Sequence, residues 1–161
     1  MTSFIFRDSL FPEDASNVER IVVSTEFFRP DEVAVAVELV NEALEKGQQA
    51  SGYHFIFCMK DKQTIGFCCF GPTPCTLGTW DLYWIAVEER YRGQKIGKQL
   101  LEKAESYLRQ ENARKLYIET SSLTKYLPTR KFYLNAGYTE EACLKDFYDT
   151  GDDKIIYCRY L

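Results

Sequence analysis

Apolar positions along the chain change their spacing as it proceeds. Within residues 13–28, Val18, Ile21, Val22 and Thr25 recur at helical intervals. Pro30-Asp31-Glu32 opens a second helix, because proline suits a first turn and acids suit the positive end of the helix dipole. Val33, Ala36, Val37, Val40 and Leu44 line one face of that helix, and Gly47 closes it. Two apolar runs, 53–60 and 64–71, flank Asp61-Lys62-Gln63 and predict a hairpin. Aromatic and β-branched residues make 79–87 a third strand. A loop at 88–98 leads into a helix reaching about Gln110, with Gly97, Leu100, Leu101, Ala104, Tyr107 and Leu108 on one face. A strand at 115–120, a short helix at 128–136, and two strands at 138–147 and 154–160 follow. Strand–helix–strand units among hairpins predict an α/β fold: a mixed, largely antiparallel sheet flanked by helices, forming a single domain over residues 1–161.

Composition narrows the function. The chain has 161 residues, 45% hydrophobic and 27% charged, which fits one globular domain. Its net charge of −4 excludes a generally basic nucleic-acid binder. Every apolar run is far shorter than the about 20 residues of a membrane span, and residues 1–7 lack the pattern of a signal peptide. Six cysteines show no C-x-x-C spacing, and with His54 as the lone histidine they form no zinc signature; no metal is expected. The cysteines sit among strand-like apolar residues, which predicts free thiols in a reduced, cytoplasmic setting. His54 itself is read as a strand residue rather than a catalyst.

The segment 88–98 carries the most chemistry. It joins a strand to a helix N-terminus, where unpaired backbone N–H groups and the helix dipole bind phosphate. Arg90, Arg92, Lys95 and Lys98 give it four positive charges and no acid between Arg90 and Lys98. That is a local, directed charge on an acidic protein, suited to a pyrophosphate. The dinucleotide fingerprint G-x-G-x-x-G is absent. The P-loop pattern fails by one residue and by Gln99, which cannot serve as the magnesium-binding hydroxyl. A solvated connection with scattered basic residues is the plain alternative.

Arg92-Gly93-Gln94-Lys95-Ile96-Gly97, following Ile85-Ala86-Val87, resembles the pyrophosphate loop [QR]-x-x-G-x-[GA] of the GNAT superfamily of acyl-CoA-dependent N-acyltransferases. Tyr133-Leu134-Asn135-Ala136-Gly137-Tyr138 resembles its second signature, Y-x-x-x-G-[FY]. One position departs from the family: Lys95 stands where the first motif glycine belongs. Either the backbone there approaches phosphate with a side chain attached, or the lysine itself contacts the ligand.

The resemblance implies acetyl-CoA as co-substrate, held by Ile85, Ala86, Val87, Arg92, Gly93, Gln94, Lys95, Ile96, Gly97 and Lys98. It implies the Val87 N–H as oxyanion donor, Tyr133 as the acid beside the coenzyme sulfur and Glu119 as general base, with Asp81 in reserve. Phe132 needs no polar partner and better suits the apolar interior. Six acids within 140–153 stand against Lys145 alone, and are read chiefly as a solvated hairpin. Direct attack by a primary amine in a ternary complex follows, with a small or amino-acid-like acceptor favoured over a protein or peptide N-terminus. A non-catalytic acyl-CoA sensor is the alternative of another class. A magnesium nucleotide hydrolase is the weakest of the readings. Neither nucleic acid nor membrane is an expected partner, and a homodimer is allowed.

Overall fold

The computed structural model describes residues 4–161. Residues 1–3, part of the segment read above for a signal peptide, lie outside the described residues. The elements are β1 (Ile5–Arg7), α1 (Asp14–Ser24), α2 (Pro30–Lys46), α3 (Gln48–Ser51), β2 (His54–Lys60), β3 (Gln63–Pro72), β4 (Thr79–Val87), α4 (Ile96–Gln110), β5 (Lys115–Ser121), α5 (Leu127–Asn135), β6 (Thr139–Asp149) and β7 (Asp152–Tyr160). The sheet has seven strands in the order β1-β2-β3-β4-β5-β7-β6. The β4–β5 pair is parallel, while β1–β2, β2–β3, β5–β7 and β7–β6 are antiparallel. The predicted α/β class and mixed sheet are therefore present.

The chain forms two compact units. One contains the residues up to Gly71 together with Trp84–Tyr107. Its hairpin turns through Asp61 and Lys62, both at positive φ (49° and 67°), the backbone that matches the twist of a two-residue hairpin loop. Strands β2 and β3 are buried on both faces, which explains their nearly continuous apolar runs. Phe55, Phe57, Phe67 and Cys69 pack with Val18, Ile21 and Val22 of α1 and Ala36, Val40 and Ala43 of α2. On the opposite face, the Cys68 thiol lies 3.8 Å from the Leu100 carbonyl of α4.

Two features of this unit differ from expectation. Helix α1 stops at Ser24, short of residue 28. The Ser24 and Thr25 hydroxyls turn back to the Ile21 and Val22 carbonyls, and Glu26 adopts φ 57°, so the helical ladder cannot continue. Strand β1 was not predicted, since three residues carry too little periodicity. Its Arg7 makes a bidentate contact with Asp14, which is fully buried, at 2.6 and 2.9 Å. The same guanidinium lies 4.3 Å from the centroid of the Phe57 ring.

The other unit contains Pro72–Tyr83 and Leu108–Leu161. Residues Thr79–Leu82 run beside Lys115–Ile118, and β7 lies against the far side of β5. Leu108, Leu116, Ile118, Tyr138, Tyr157 and Ile155 are buried. All six cysteines are free, and Cys58, Cys68, Cys69 and Cys158 are buried as expected of small apolar groups. No helix among the described residues is long and apolar enough to cross a membrane.

Gly66 of β3 sets the spacing beneath α4. A Cβ there would come 3.2 Å from the Ala86 carbonyl oxygen and 3.4 Å from Ile96 and Leu100. Gly66→Ala must therefore push backbone aside. Its expected cost is about 1–3 kcal/mol, read in a thermal melt as a Tm lowered by several degrees.

Candidate active site

The loop after β4 is shaped by backbone. The Glu88 N–H donates to the Ile65 carbonyl at 2.8 Å, fixing where β4 ends. A single 3₁₀ turn, Glu89–Tyr91, carries the chain to Arg92 in extended conformation. Gly93 then takes φ 79° and Lys95 takes φ 62°. The Lys95 carbonyl accepts the Gln99 N–H at 3.1 Å, so Lys95 is the cap of α4. Residues 92–95 are exposed, whereas Ile96 is buried and anchors the helix. A Cβ on Gly93 would meet nothing within 4 Å, so its glycine answers a conformational need and not a spatial one.

This resolves the departure at Lys95. The lysine holds the left-handed backbone that a glycine favours, at a cost of about 1–2 kcal/mol. The amides of 93–98 can thus form the concave N–H array that binds anions, despite the side chain.

The loop charges are less free than the sequence suggests. Arg92 meets Glu89 at 3.2 Å and lies 5.6 Å from the Phe27 ring centroid. Arg90 pairs with Glu88, and Lys98 lies 3.7 Å from Glu102. Acids on either side of the basic run offset it. Among the described residues, Lys95 has no ion pair.

The carboxylates lie in the other unit. Asp81 on β4 is in register with Tyr117 on β5, and Glu119 lies opposite Ile156 of β7. Strand alternation places Asp81 and Tyr83 on one face of β4 and Tyr117 and Glu119 on one face of β5. Glu119 is exposed and ion-paired with Lys154. Asp81 is half-buried and accepts the Thr73 hydroxyl at 2.6 Å. Burial is the main cause that raises the Asp81 pKa, and the nearby Glu119 charge adds to it, against the opposing pull of Thr73 and Lys154. The sequence ranked Glu119 first because the family pattern points to its strand. It held no signal for the ion pair with Lys154, which lies 35 residues away on another strand.

Phe132, read as the better suited to the interior, is the less buried of the pair. Tyr133 is 4% exposed, while Phe132 is only half-buried. Gly137, at φ 89°, folds the chain so that the Tyr138 N–H reaches the Tyr133 carbonyl at 3.1 Å. The Tyr133 ring then lies about 6 Å from those of Tyr138 and Tyr157. Arg130 donates to the Ser121 and Leu123 carbonyls at 2.8 and 2.9 Å and holds the loop entering α5.

The acids of the β6–β7 hairpin are occupied locally. Asp146 accepts the Gly151 N–H, Asp149 the Thr150 N–H, Asp152 the Ser121 hydroxyl, and Asp153 both Lys145 and the Asp146 N–H. His54 is buried in β2, with Nδ1 3.2 Å from the Tyr107 hydroxyl. Among the described residues, no group of three or more His, Cys, Asp or Glu is placed to hold a metal ion.

The pattern of the Acetyltransferase (GNAT) family matches residues 18–138. A GNAT-family protein from Desulfovibrio desulfuricans has 48% identity and a TM-score of 0.96, covering 98% of this chain and 99% of its own. An aminoglycoside 6′-N-acetyltransferase complexed with coenzyme A has 15% identity, a TM-score of 0.76 and coverage of 97% and 96%. The ribosomal-protein-S18-alanine N-acetyltransferase of Escherichia coli has 19% identity, a TM-score of 0.77 and coverage of 98% and 94%. No curated protein matches the sequence. The chain belongs to the GNAT acetyltransferase family. It is an acyl-CoA N-acyltransferase.

Two outcomes test the site. Lys95→Gly frees the strained backbone but also loosens the unfolded chain, so stability should move by no more than about 1 kcal/mol. Acetyl-CoA affinity by calorimetry should fall by no more than about fivefold, the worth of one exposed charge. Second, because folding raises the Asp81 carboxyl above its ordinary 3.8, its ionisation costs stability above the folded pKa and nothing well below 3.8. Asp81→Asn should therefore raise Tm near neutrality, and the gain should vanish as pH falls through the carboxylate range.

Proposed function

We propose that the protein acetylates a small primary amine by direct attack on acetyl-CoA, with no covalent enzyme intermediate and within one N-acetyltransferase domain spanning residues 1–161. The observation that carries this reading is the pair of left-handed residues, Gly93 and Lys95, at the head of the fifteen-residue helix α4. They turn the amides of 93–98 outward as a diphosphate grip, with Arg92, Gln94 and Lys98 at its rim and Ile85, Ala86 and Val87 leading into it.

The chemistry requires three proton or charge events. The acceptor ammonium must lose a proton before it can attack. Asp81 takes that proton. Its half-buried position and the neighbouring Glu119 charge make it a stronger base than an exposed carboxylate. Glu119 is the second carboxylate of the pair and acts on Asp81 by its charge, while its own carboxylate is engaged in an ion pair with Lys154. The Val87 N–H donates to the carbonyl oxygen as that oxygen gains charge. Tyr133 gives its phenolic proton to the departing sulfur, and the second proton, shed by the attacking nitrogen as the amide forms, restores the phenol through solvent.

A small cationic acceptor is supported by Asp81 and Tyr83 on one face of β4, a carboxylate beside a 38% exposed tyrosine ring. Six free thiols support a reducing, cytoplasmic setting.

Thiol release with a panel of small amines and N-terminal peptides tests the function. Turnover should be faster with small amines. Asp81→Asn should lower kcat by about 100-fold or more and abolish the acidic limb of the pH–rate profile. Glu119→Gln should move that limb to lower pH, because it removes a charge that raises the Asp81 pKa. Tyr133→Phe should lower kcat with acetyl-CoA affinity retained. Acetyl-CoA binding without turnover on any amine would establish the sensor instead, and preference for peptides would move the acceptor to a protein N-terminus.

A further inference from the structure

Glu88 occupies the joint between β4 and the coenzyme loop, and it is 8% exposed. A carboxylate this buried needs compensation. Two arginines supply it. Arg90, two residues on, pairs from the solvent side. Arg20 arrives from the middle of α1 and also donates to the Thr64 carbonyl of β3. The Glu88 backbone is bound as well, with its N–H on the Ile65 carbonyl and its own carbonyl accepting the Tyr91 N–H at 2.8 Å each. One turn further along α1, the Ser24 hydroxyl accepts the Glu89 N–H at 3.2 Å.

These contacts share a direction. They fix the residue before the loop to α1 and β3, and none of them touches the amides that would face a diphosphate. We propose that Arg20 is a positioning residue for the coenzyme loop, acting through Glu88. It rests on the reading of that loop as the acetyl-CoA site. The grip depends on several amides pointing at one place, so a small rotation of the 3₁₀ turn Glu89–Tyr91 would spread them. Arg20 restrains that rotation at its near end. Replacing it leaves Glu88 buried with a single, largely exposed cation, and the carboxylate then gains by swinging toward water and taking the turn with it.

The Arg7–Asp14 pair is the internal control. It is a buried ion pair of the same unit, also held at one end in α1, but it ties β1 and the Thr64 hydroxyl (3.4 Å) and makes no contact with residues 88–98 among those described. Steady-state kinetics and calorimetry on Arg20→Met, Glu88→Gln and Arg7→Met separate a local effect from general loosening. Arg20→Met and Glu88→Gln should each raise the acetyl-CoA KM and Kd about tenfold, equivalent to about 1.4 kcal/mol. The acceptor KM, and kcat at saturating coenzyme, should stay within about twofold. Arg7→Met should lower Tm at least as much and leave the acetyl-CoA KM within about twofold. Arg20→Lys, which keeps the charge, should recover part of the loss. If Arg20→Met does not fold, Glu88→Gln keeps the shape, removes the charge and decides alone.

A rise in acetyl-CoA KM of about threefold or more, confined to the Arg20 and Glu88 variants, supports the positioning role. A smaller rise, a change in kcat in place of KM, or an equal rise in Arg7→Met overturns it. If the wild-type chain binds no acetyl-CoA in the calorimeter, the reading of the loop fails first and the positioning role falls with it.

Discussion

The chain must leave β4 and enter α4 with its amides turned outward. Helical and extended backbone alone cannot do this, because the first four N–H groups of a helix point along its axis and the preceding strand points across it. Left-handed backbone at Gly93 and Lys95 makes the change of direction. Two buried groups hold its ends. Ile96 seats the first turn of α4 over Gly66, where a missing side chain lets the helix and the Ala86 carbonyl approach. Glu88 holds the other end between Arg20 and Arg90. The strain at Lys95 is tolerated because both sides of it are already fixed.

A different balance governs the carboxylates. Asp81 and Glu119 lie close enough for each charge to oppose the other, and Lys154 stands with them. One lysine neutralises one carboxylate, and its ion pair is with the exposed Glu119. Asp81 keeps the burden of burial, eased by a single hydroxyl from Thr73. Two acids on neighbouring strands thus acquire different surroundings: burial raises the pKa of Asp81, while the lysine is taken up by Glu119.

What could be read from the sequence follows from how local each determinant is. Helix α2 and strand β4 were placed correctly because their signals, an opening Pro-Asp-Glu and a dense aromatic run, lie within the elements themselves. The strand-to-helix junction at 88–95 was legible for the same reason, being one contiguous segment. Strand β1 was not, since a three-residue strand is defined by its partner β2. That Tyr133 is more buried than Phe132 is not legible, because their burial depends on how Gly137 returns Tyr138 against α5. The difference in surroundings between Glu119 and Asp81 involves Lys154, which only strand pairing brings near.

Charge shows the same limit and leads to a physical conclusion about the grip. Counted along the sequence, the basic run from Arg90 to Lys98 suggests a strong anion attractor. In space, Glu88, Glu89 and Glu102 pair with Arg90, Arg92 and Lys98. On the proposed reading, a diphosphate entering the loop would compete with those acids, so the net gain from each arginine or lysine would be the difference between two ion pairs, small at an exposed site. Backbone amides at a helix start have no such competitor. Their dipoles are fixed by the fold, and they need no reorganisation when an anion arrives. Lys95 supplies the left-handed backbone angle that a glycine favours, and on the proposed reading that angle is what the position is asked for.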